Sequence, residues 1–249
     1  MPPKPAAVLW DLDGTLIDSE GVWLAAETQL MAGLGVDWTE ADQRWCLGGP
    51  MDRVTAYMRE RVVRTTGQVV PEANFKIELL QRMEDMLSNT PPQWQTGSIS
   101  LLRELVAAEI PLGLVTASHR TLLRALEQVL DVDLPALVSA PDKPAAAIFQ
   151  ITVAGDEVAR TKPDPMPYLF AAQSLNVSIA DCIVLEDSPT GVASGVASGA
   201  MVIAIEHLTP IEAGPRCHVV SNLADLDVNY LATLLDLSPT QSPDRNVHL

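Results

Sequence analysis

VLWDLDGT, residues 8–15, is the stretch of sequence on which the predicted fold rests. Its first three residues are apolar, as in a buried β-strand, and they give way to two carboxylates, Asp11 and Asp13, and then to Gly14. The carboxyl ends of parallel strands border the crevice in which open α/β sheets bind ligands, and a glycine lets the backbone turn there. Because Asp and Gly are also ordinary turn residues, the pair alone is equally consistent with a loop.

A second acidic pair, Glu186 and Asp187, follows the apolar run at 182–185 in the same way. Two strand ends that each present paired carboxylates supply hard oxygen ligands of the kind that Mg²⁺ prefers. The sequence therefore favours a magnesium site over two unrelated turns. The predicted metal ligands are Asp11, Asp13, Glu186 and Asp187.

A third apolar run, at 111–115, stops at Thr116, Ala117 and Ser118. The hydroxyl of Thr116 and the free N–H groups at the start of a following helix can hold phosphate oxygens. Ser118 is equally consistent with a simple helix N-cap.

A fourth apolar run, at 148–154, is followed by the segment GDEV (155–158) and then by Lys162 and Pro163. A lone lysine in a loop is usually a solvated charge. Lys162, however, is one of only 16 basic residues, and it comes after another predicted core strand. We therefore treat it as a candidate site residue.

Taken in order, these segments resemble the haloacid dehalogenase superfamily of phosphohydrolases. The four motifs of that family are matched by DLDGT at 11–15, Thr116, Lys162-Pro163 and Glu186-Asp187. The branch that contains β-phosphoglucomutase and phosphoglycolate phosphatase is similar at DSE (18–20), GDEV (155–158) and EDSPTG (186–191). The resemblance covers nearly the whole chain. It implies an α/β fold, a Rossmann-like doubly wound parallel sheet core with an inserted α-helical cap domain.

The resemblance also implies the chemistry of the site. Asp11 would be the nucleophile that forms an aspartyl phosphate, and Asp13 would protonate the leaving oxygen and later deprotonate water. Thr116 and Lys162 would complete the catalytic set by contacting the phosphoryl oxygens. Mg²⁺ would be held by the carboxylate of Asp11, the backbone carbonyl of Asp13 and Asp187, with Glu186 contributing. The residues expected to bind substrate are Gly14, Thr15, Ala117 and Ser118.

The second aspartate, Asp13, separates the reaction classes of the superfamily. The dehalogenases do not carry it, because displacing halide needs no proton on the leaving group, so we expect phosphoryl transfer. β-Phosphoglucomutase has a hinge histidine and a cap arginine where this chain has Trp23 and Asp52, which favours a phosphatase and leaves a phosphomutase as the alternative. Arg53 is interpreted as a helix-surface charge that could also touch substrate. A non-catalytic protein that binds a phosphorylated ligand is the alternative from another class.

The composition narrows the set of partners. A formal net charge of −16 disfavours nucleic acid, because phosphate contacts need basic patches, and leaves a small phosphorylated metabolite as the expected partner. Hydrophobic residues make up 47% of the chain, which argues against disorder. No apolar run reaches membrane-spanning length, so we expect a cytoplasmic protein that does not bind a membrane. We also expect a monomer. The three cysteines are expected to be buried thiols.

Helical spacing of apolar residues dominates the segment that follows the first strand. It predicts four helices, and because the first strand precedes them they form an insertion into the α/β core. The resemblance implies that this insertion is a cap domain at 19–95 with hinges near 15–20 and 91–97. The helices are predicted at 21–34, 39–47, 51–65 and 72–87.

From about residue 97 onward, helices alternate with short apolar runs, as in a doubly wound sheet. Strands are predicted at 112–115, 148–153, 182–185 and 201–205, in a core domain formed by 1–18 and 96–237. Three prolines in 131–147 predict an inserted loop with little regular structure. The tail at 238–249 is expected to be poorly ordered.

Overall fold

Strand β1 (Ala7–Trp10) lies in the middle of the sheet, and its side chains alternate between two apolar layers. Val8 and Trp10 belong to one buried cluster, whereas Ala7 and Leu9 belong to the cluster on the opposite face. A parallel strand that is buried on both faces needs an unbroken apolar run. This requirement explains why residues 8–10, at the start of VLWDLDGT, are all apolar.

The computed structural model describes residues 4–46, 51–140, 145–206 and 209–236. In these ranges five further strands join β1 in one parallel sheet, namely β2 (Leu112–Val115), β3 (Ile151–Val153), β4 (Cys182–Glu186), β5 (Met201–Ile205) and β6 (Cys217–Val220). The order across the sheet is β3-β2-β1-β4-β5-β6. The chain adds β2 and β3 on one side of β1 and then crosses to β4 on the other side, so the strand order reverses between β1 and β4. Such sheets bind ligands at this reversal.

Helices cover both faces of the sheet, so the predicted doubly wound α/β fold is confirmed. Among the described residues the helices are α1 (Glu20–Gly33), α2 (Glu40–Cys46), α3 (Met51–Thr66), α4 (Glu72–Asn89), α5 (Ser98–Ala107), α6 (Arg120–Leu137), α7 (Ala145–Ile148), α8 (Met166–Ser174), α9 (Pro189–Ser198) and α10 (Val228–Asp236). Helices α5, α6 and α10 pack on the face that holds Trp10, and α8 and α9 pack on the face that holds Leu9.

Helices α1 to α4 interrupt the α/β pattern and form an apolar cluster of their own, to which α6 contributes Leu122 and Ala125. The two connections to the sheet run side by side. The N–H of Asp18 donates to the carbonyl of Gln93 at 2.7 Å, and Ile17 forms an antiparallel bridge with Trp94. The assignment of 19–95 to a cap domain, and of 1–18 and 96–237 to a core domain, stays a prediction.

The prediction of an irregular loop at 131–147 is wrong for most of the described part of that segment. Helix α6 continues to Leu137 although Pro135 lies inside it. Leu126, Leu130 and Leu134 are buried at a spacing of four residues, and this packing outweighs the backbone hydrogen bond that a proline removes. Residues 141–144, like the tail at 238–249, lie outside the described residues.

Two predictions about strands also need correction. The strand predicted at 148–153 begins at Ile151, because α7 ends at Ile148. Strand β6 was not predicted, since this edge strand is short and three of its four residues are only half-buried. The three cysteines are free and buried, as predicted. Within the described ranges, none of the helices is both long enough and apolar enough to cross a membrane.

Candidate active site

The predicted site residues converge at the carboxyl ends of the strands. Asp11 follows β1, Thr116 follows β2, Glu186 is the last residue of β4 and Asp187 follows it. Lys162 comes from the loop between β3 and α8. Because β1 has β2 and β4 as its two neighbours, these side chains meet where the strand order of the sheet reverses.

The ammonium group of Lys162 is held by three oxygens. Its Nζ atom lies 2.5 Å from Oδ1 of Asp11, 2.6 Å from Oε1 of Glu186 and 2.8 Å from the carbonyl oxygen of Val115. The side chain is 3% exposed. Burial alone would lower the pKa of Lys162, but the charges of Asp11 and Glu186 outweigh burial and raise the pKa above its usual value. Lys162 is therefore a cation fixed between two carboxylates.

Both carboxylate oxygens of Glu186 are occupied by donors from the protein. Oε1 accepts from Lys162 and, at 2.7 Å, from the hydroxyl of Tyr168. Oε2 accepts from the N–H of Asp187 and from the hydroxyl of Ser188, each at 3.2 Å. Glu186 is fully buried, and this set of donors keeps its orientation fixed.

Asp187 lies against the turn that follows β1. Its Oδ1 atom accepts from the hydroxyl of Thr15 at 3.2 Å. Gly14 has a φ of +85°, and a Cβ atom at that position would lie 2.0 Å from Oδ2 of Asp187. Glycine is therefore needed at 14 both for the turn and for the space that the carboxylate occupies.

Three buried carboxylates, from Asp11, Glu186 and Asp187, each offer one oxygen within 4.8 Å of the others. Lys162 supplies a single positive charge among them. Burial and the neighbouring Glu186 raise the pKa of Asp187 to about 7, and the same two causes raise the pKa of Asp11 well above its usual value. An excess of buried negative charge on hard oxygen ligands is the arrangement that a divalent cation stabilises.

Asp13 is oriented by hydroxyl groups from two parts of the chain. Ser19, just before α1, donates to Oδ1 at 2.6 Å. Thr116 and Ser118 donate to Oδ2 at 3.2 and 2.8 Å. Asp13 is half-buried, whereas Ala117 between the two donors is exposed. The structure thus places Thr116 and Ser118 at the second aspartate rather than at the first.

Arg120 joins the loop after β2 to the loop after β3. Its guanidinium donates to both carboxylate oxygens of Glu157, with Nε to Oε1 at 2.8 Å, and to the side chain and the carbonyl of Thr152, each at 2.9 Å. The N–H of Gly155 also donates to the carbonyl of Ser118 at 2.9 Å. The segment GDEV thereby holds the loop that carries the hydroxyls facing Asp13.

Tyr168, Ser19 and Arg120 were missed as site residues. Tyr168 is fully buried on α8, and burial together with the charge of Glu186 raises its pKa well above the usual value, so the phenol is a neutral donor. No local pattern reveals these roles, because each depends on a partner that only the tertiary structure brings close. The one weak signal in the sequence is the tyrosine itself, which combines an apolar ring with a polar hydroxyl six residues after Lys162.

Trp23, Asp52 and Arg53, the residues that bear on the mutase alternative, have partners among the four inserted helices. Asp52 lies 2.5 Å from the ammonium of Lys76, and the guanidinium of Arg53 stacks over the ring of Trp45 at 4.8 Å. Trp23 packs against the apolar cluster of those helices. In the described part of the chain, none of these contacts joins them to the carboxylates of the sheet.

Comparisons with known proteins find relatives of this chain in both sequence and fold. The sequence model of a family described as haloacid dehalogenase-like hydrolase matches residues 8–205. The protein CbbY of Rhodobacter capsulatus is 33% identical over 211 residues, 83% of this chain and 86% of that protein. Hexitol phosphatase A of Escherichia coli (strain K12) is 35% identical over 206 residues, 79% of this chain and 81% of that protein. A crystal structure of CbbY from Rhodobacter sphaeroides in complex with phosphate, 25% identical, has a TM-score of 0.71 and covers 94% of this chain and 100% of that chain.

Proposed function

This chain belongs to the haloacid dehalogenase-like hydrolase family, in its phosphatase branch, and we propose that it hydrolyses a small phosphorylated metabolite of the sugar phosphate or phosphoglycolate type. The observation that carries the proposal is the position of Asp11, whose Oδ1 atom lies 2.5 Å from Nζ of Lys162 where the strand order of the sheet reverses. Asp13 follows two residues later in the chain. The hexitol phosphatase supports a phosphorylated carbohydrate as substrate, and the phosphate-bound CbbY structure supports a site that accepts a phosphoryl group.

Asp11 is the nucleophile of the proposed reaction. Lys162 fixes one oxygen of its carboxylate, and the other accepts no hydrogen bond from the described residues. Attack of this second oxygen on phosphorus forms an aspartyl phosphate and breaks the ester P–O bond. Water then attacks the aspartyl phosphate at phosphorus, which releases inorganic phosphate and regenerates the carboxylate.

Asp13 carries the proton in both steps. It donates the proton to the leaving alkoxide when the ester bond breaks, and it accepts a proton from the attacking water afterwards. The hydroxyls of Ser19, Thr116 and Ser118 hold its two oxygens, so that the carboxyl group keeps one orientation through the cycle. Thr116 and Lys162 are the side chains proposed to contact phosphoryl oxygens.

The acidic residues fit a magnesium ion. The carboxylates of Asp11 and Asp187 and the backbone carbonyl of Asp13 are the proposed ligands, and Glu186 adds its negative charge. Because donors from the protein already occupy both oxygens of Glu186, its main role in the proposed reaction is to hold Lys162. When bound, Mg²⁺ would supply the positive charge that offsets the phosphoryl oxygens and the crowded carboxylates.

The test is release of inorganic phosphate by the purified protein, with Mg²⁺, from a panel of sugar phosphates, hexitol phosphates and phosphoglycolate. Asp11→Asn removes one charge with little change of shape, so it should fold normally and lose at least about 1,000-fold in turnover. Asp225→Asn, at an exposed carboxylate, is the control. Unchanged activity in Asp11→Asn would contradict the mechanism.

Conversion of β-glucose 1-phosphate to glucose 6-phosphate without free phosphate would favour the mutase, and binding without turnover would favour the non-catalytic alternative.

A further inference from the structure

We propose that the hydroxyl of Tyr168 is a positioning group, which sets the place of the Lys162 ammonium relative to Asp11 by sharing one oxygen of Glu186 with it. The proposal rests on the proposed function, because the position of Lys162 affects turnover only if the lysine contacts the reacting phosphoryl group. Tyr168 itself touches neither Asp11 nor any reacting atom assigned above.

Tyr168 meets the lysine in two ways. Its hydroxyl donates to Oε1 of Glu186 at 2.7 Å, and the same oxygen accepts from Nζ of Lys162 at 2.6 Å. The centre of its ring lies 5.0 Å from Nζ, within the range of a cation–π contact. The tyrosine and the lysine are both buried, so no bulk solvent replaces either contact.

The shared oxygen gives the hydroxyl its effect. Lys162 divides its three protons between Asp11, Glu186 and a backbone carbonyl. A carboxylate oxygen that already accepts one hydrogen bond attracts a second donor less strongly, since part of its charge is offset. Removing the phenol hydroxyl should therefore strengthen the bond from Lys162 to Glu186 and lengthen the bond to Asp11.

Packing alone does not require the hydroxyl. Tyr168 belongs to an apolar layer with Ala171, Val184 and Val192, where a phenylalanine ring would fill the same space. A buried hydroxyl without an acceptor costs roughly 1–3 kcal/mol, so the tyrosine at this position depends on Glu186. The hydroxyl of Tyr168 is thus directed at Glu186, one of the two carboxylates that hold the lysine.

The first experiment compares Tyr168→Phe with the unaltered protein. We expect kcat to fall about 10- to 100-fold and the KM for the phosphorylated substrate to change little, because a partner that orients the lysine acts on the reacting state. Tyr230→Phe is the matched control, since its hydroxyl contacts His218 on β6. That variant should keep its kcat.

The second experiment uses NMR to measure the side-chain nitrogen of Lys162 directly. The chain has four lysines, Lys4, Lys76, Lys143 and Lys162, so a protein labelled with ¹⁵N at the side-chain nitrogen should give a spectrum simple enough to assign. The Nζ signal that is lost in Lys162→Met identifies the lysine. We expect Tyr168→Phe to move this signal and to leave those of Lys4 and Lys76 unchanged.

A double-mutant cycle with Glu186→Gln separates positioning from packing. If the hydroxyl acts through Glu186, adding Tyr168→Phe to Glu186→Gln should cost much less than it does alone. Additive losses of kcat, or an unmoved Nζ signal, would overturn the proposal. If the unaltered protein hydrolysed no phosphate ester, the proposed function would fail, whereas the NMR comparison would still decide whether Tyr168 positions Lys162.

Discussion

Gly191 lies so close to Glu186 that a Cβ atom at position 191 would be 1.8 Å from Oε1 of the glutamate. The glycine is in the first turn of α9, and its own N–H is capped by the hydroxyl of Ser188 at 3.0 Å. The start of this helix can approach the buried carboxylate only because residue 191 has no side chain. The oxygen in question is the one that Lys162 and Tyr168 share.

Gly191→Ala should therefore damage the site more than a methyl group usually would. Glu186 cannot move away without breaking its bonds to Lys162 and Tyr168, so we expect a loss of about 1–3 kcal/mol in stability and at least 10-fold in turnover. Thermal melting and phosphate release measure the two effects. Gly33→Ala is the control, because a Cβ atom there meets nothing within 4 Å, and it should be neutral or slightly stabilising. Equal behaviour of the two variants would refute the prediction.

The ion pair between Arg120 and Glu157 leads to the second prediction. Arg120→Met removes the group that ties the Thr116 loop to the GDEV segment and leaves Glu157 without its main partner. Since the side chain of Arg120 is only 15% exposed, we expect a loss of about 1–3 kcal/mol in the free energy of unfolding. We also expect kcat/KM to fall about 10-fold, because the hydroxyls of Thr116 and Ser118 would be held less firmly.

Arg103→Met provides the comparison for that experiment. Arg103 also bridges two helices, since its guanidinium donates to the carbonyl of Leu137 at the far end of α6. Arg103 is exposed, and its contact with Leu137 lies at the opposite end of α6 from that loop, so the variant should change melting slightly and kcat/KM not at all. A similar loss of activity in both variants would show that the effect is general destabilisation.

A buried carboxyl group among the inserted helices gives a pH-dependent prediction. Glu27 is 5% exposed, and its carboxylate accepts a hydrogen bond from the indole of Trp38 at 3.2 Å. Burial raises the pKa of Glu27 from 4.5 to about 7, with the charge of Glu20 acting in the same direction. The folded protein thus binds a proton that the unfolded chain releases, so stability should fall as the pH rises from about 4.5 to 7.

Glu27→Gln keeps the shape and the acceptor and removes the charge. Above pH 7 it should stabilise the protein by about 1–3 kcal/mol, and at pH 4.5 or below it should make no difference. Melting curves across this pH range measure the effect, and Glu78→Gln, at an exposed helix position, is the control. A gain in stability that is the same at every pH would point to a packing effect and contradict the assignment.

Much of the fold follows from the local sequence, because each strand of the sheet centre must be apolar along its length. Asp11, Thr116 and Glu186 stand at strand ends, and the topology of a parallel sheet is enough to bring such residues together. The partners Tyr168 and Arg120 follow no such rule, since helix faces carry tyrosine and arginine for many reasons.

Pro135 shows why a local signal can mislead. Proline disfavours a helix interior, and three prolines in one segment are typical of a loop. The leucines of α6 nevertheless bury the helix against the sheet, and the free energy of that burial exceeds the cost of one missing hydrogen bond. Only the packing of the whole domain decides between the two effects.

The last prediction concerns the crowded carboxylates of Asp11, Glu186 and Asp187. Their mutual repulsion is only partly offset by Lys162, so a divalent cation that binds the folded state should stabilise it. At about 100 times its dissociation constant, Mg²⁺ should add about 2.7 kcal/mol, which corresponds to a rise of roughly 5 to 10 °C in Tm for a domain of this size.

Asp187→Ala should remove most of this rise, because it deletes a proposed ligand and half of the second acidic pair. Asp225→Ala changes an exposed carboxylate and should keep the full response to Mg²⁺, which controls for unspecific screening of the net charge of −16. Differential scanning calorimetry with added Mg²⁺, with Na⁺ at matched ionic strength, separates specific binding from screening. A Tm that responds equally to both salts, or an Asp187→Ala protein that responds like the unaltered chain, would rule out a magnesium site formed by these carboxylates.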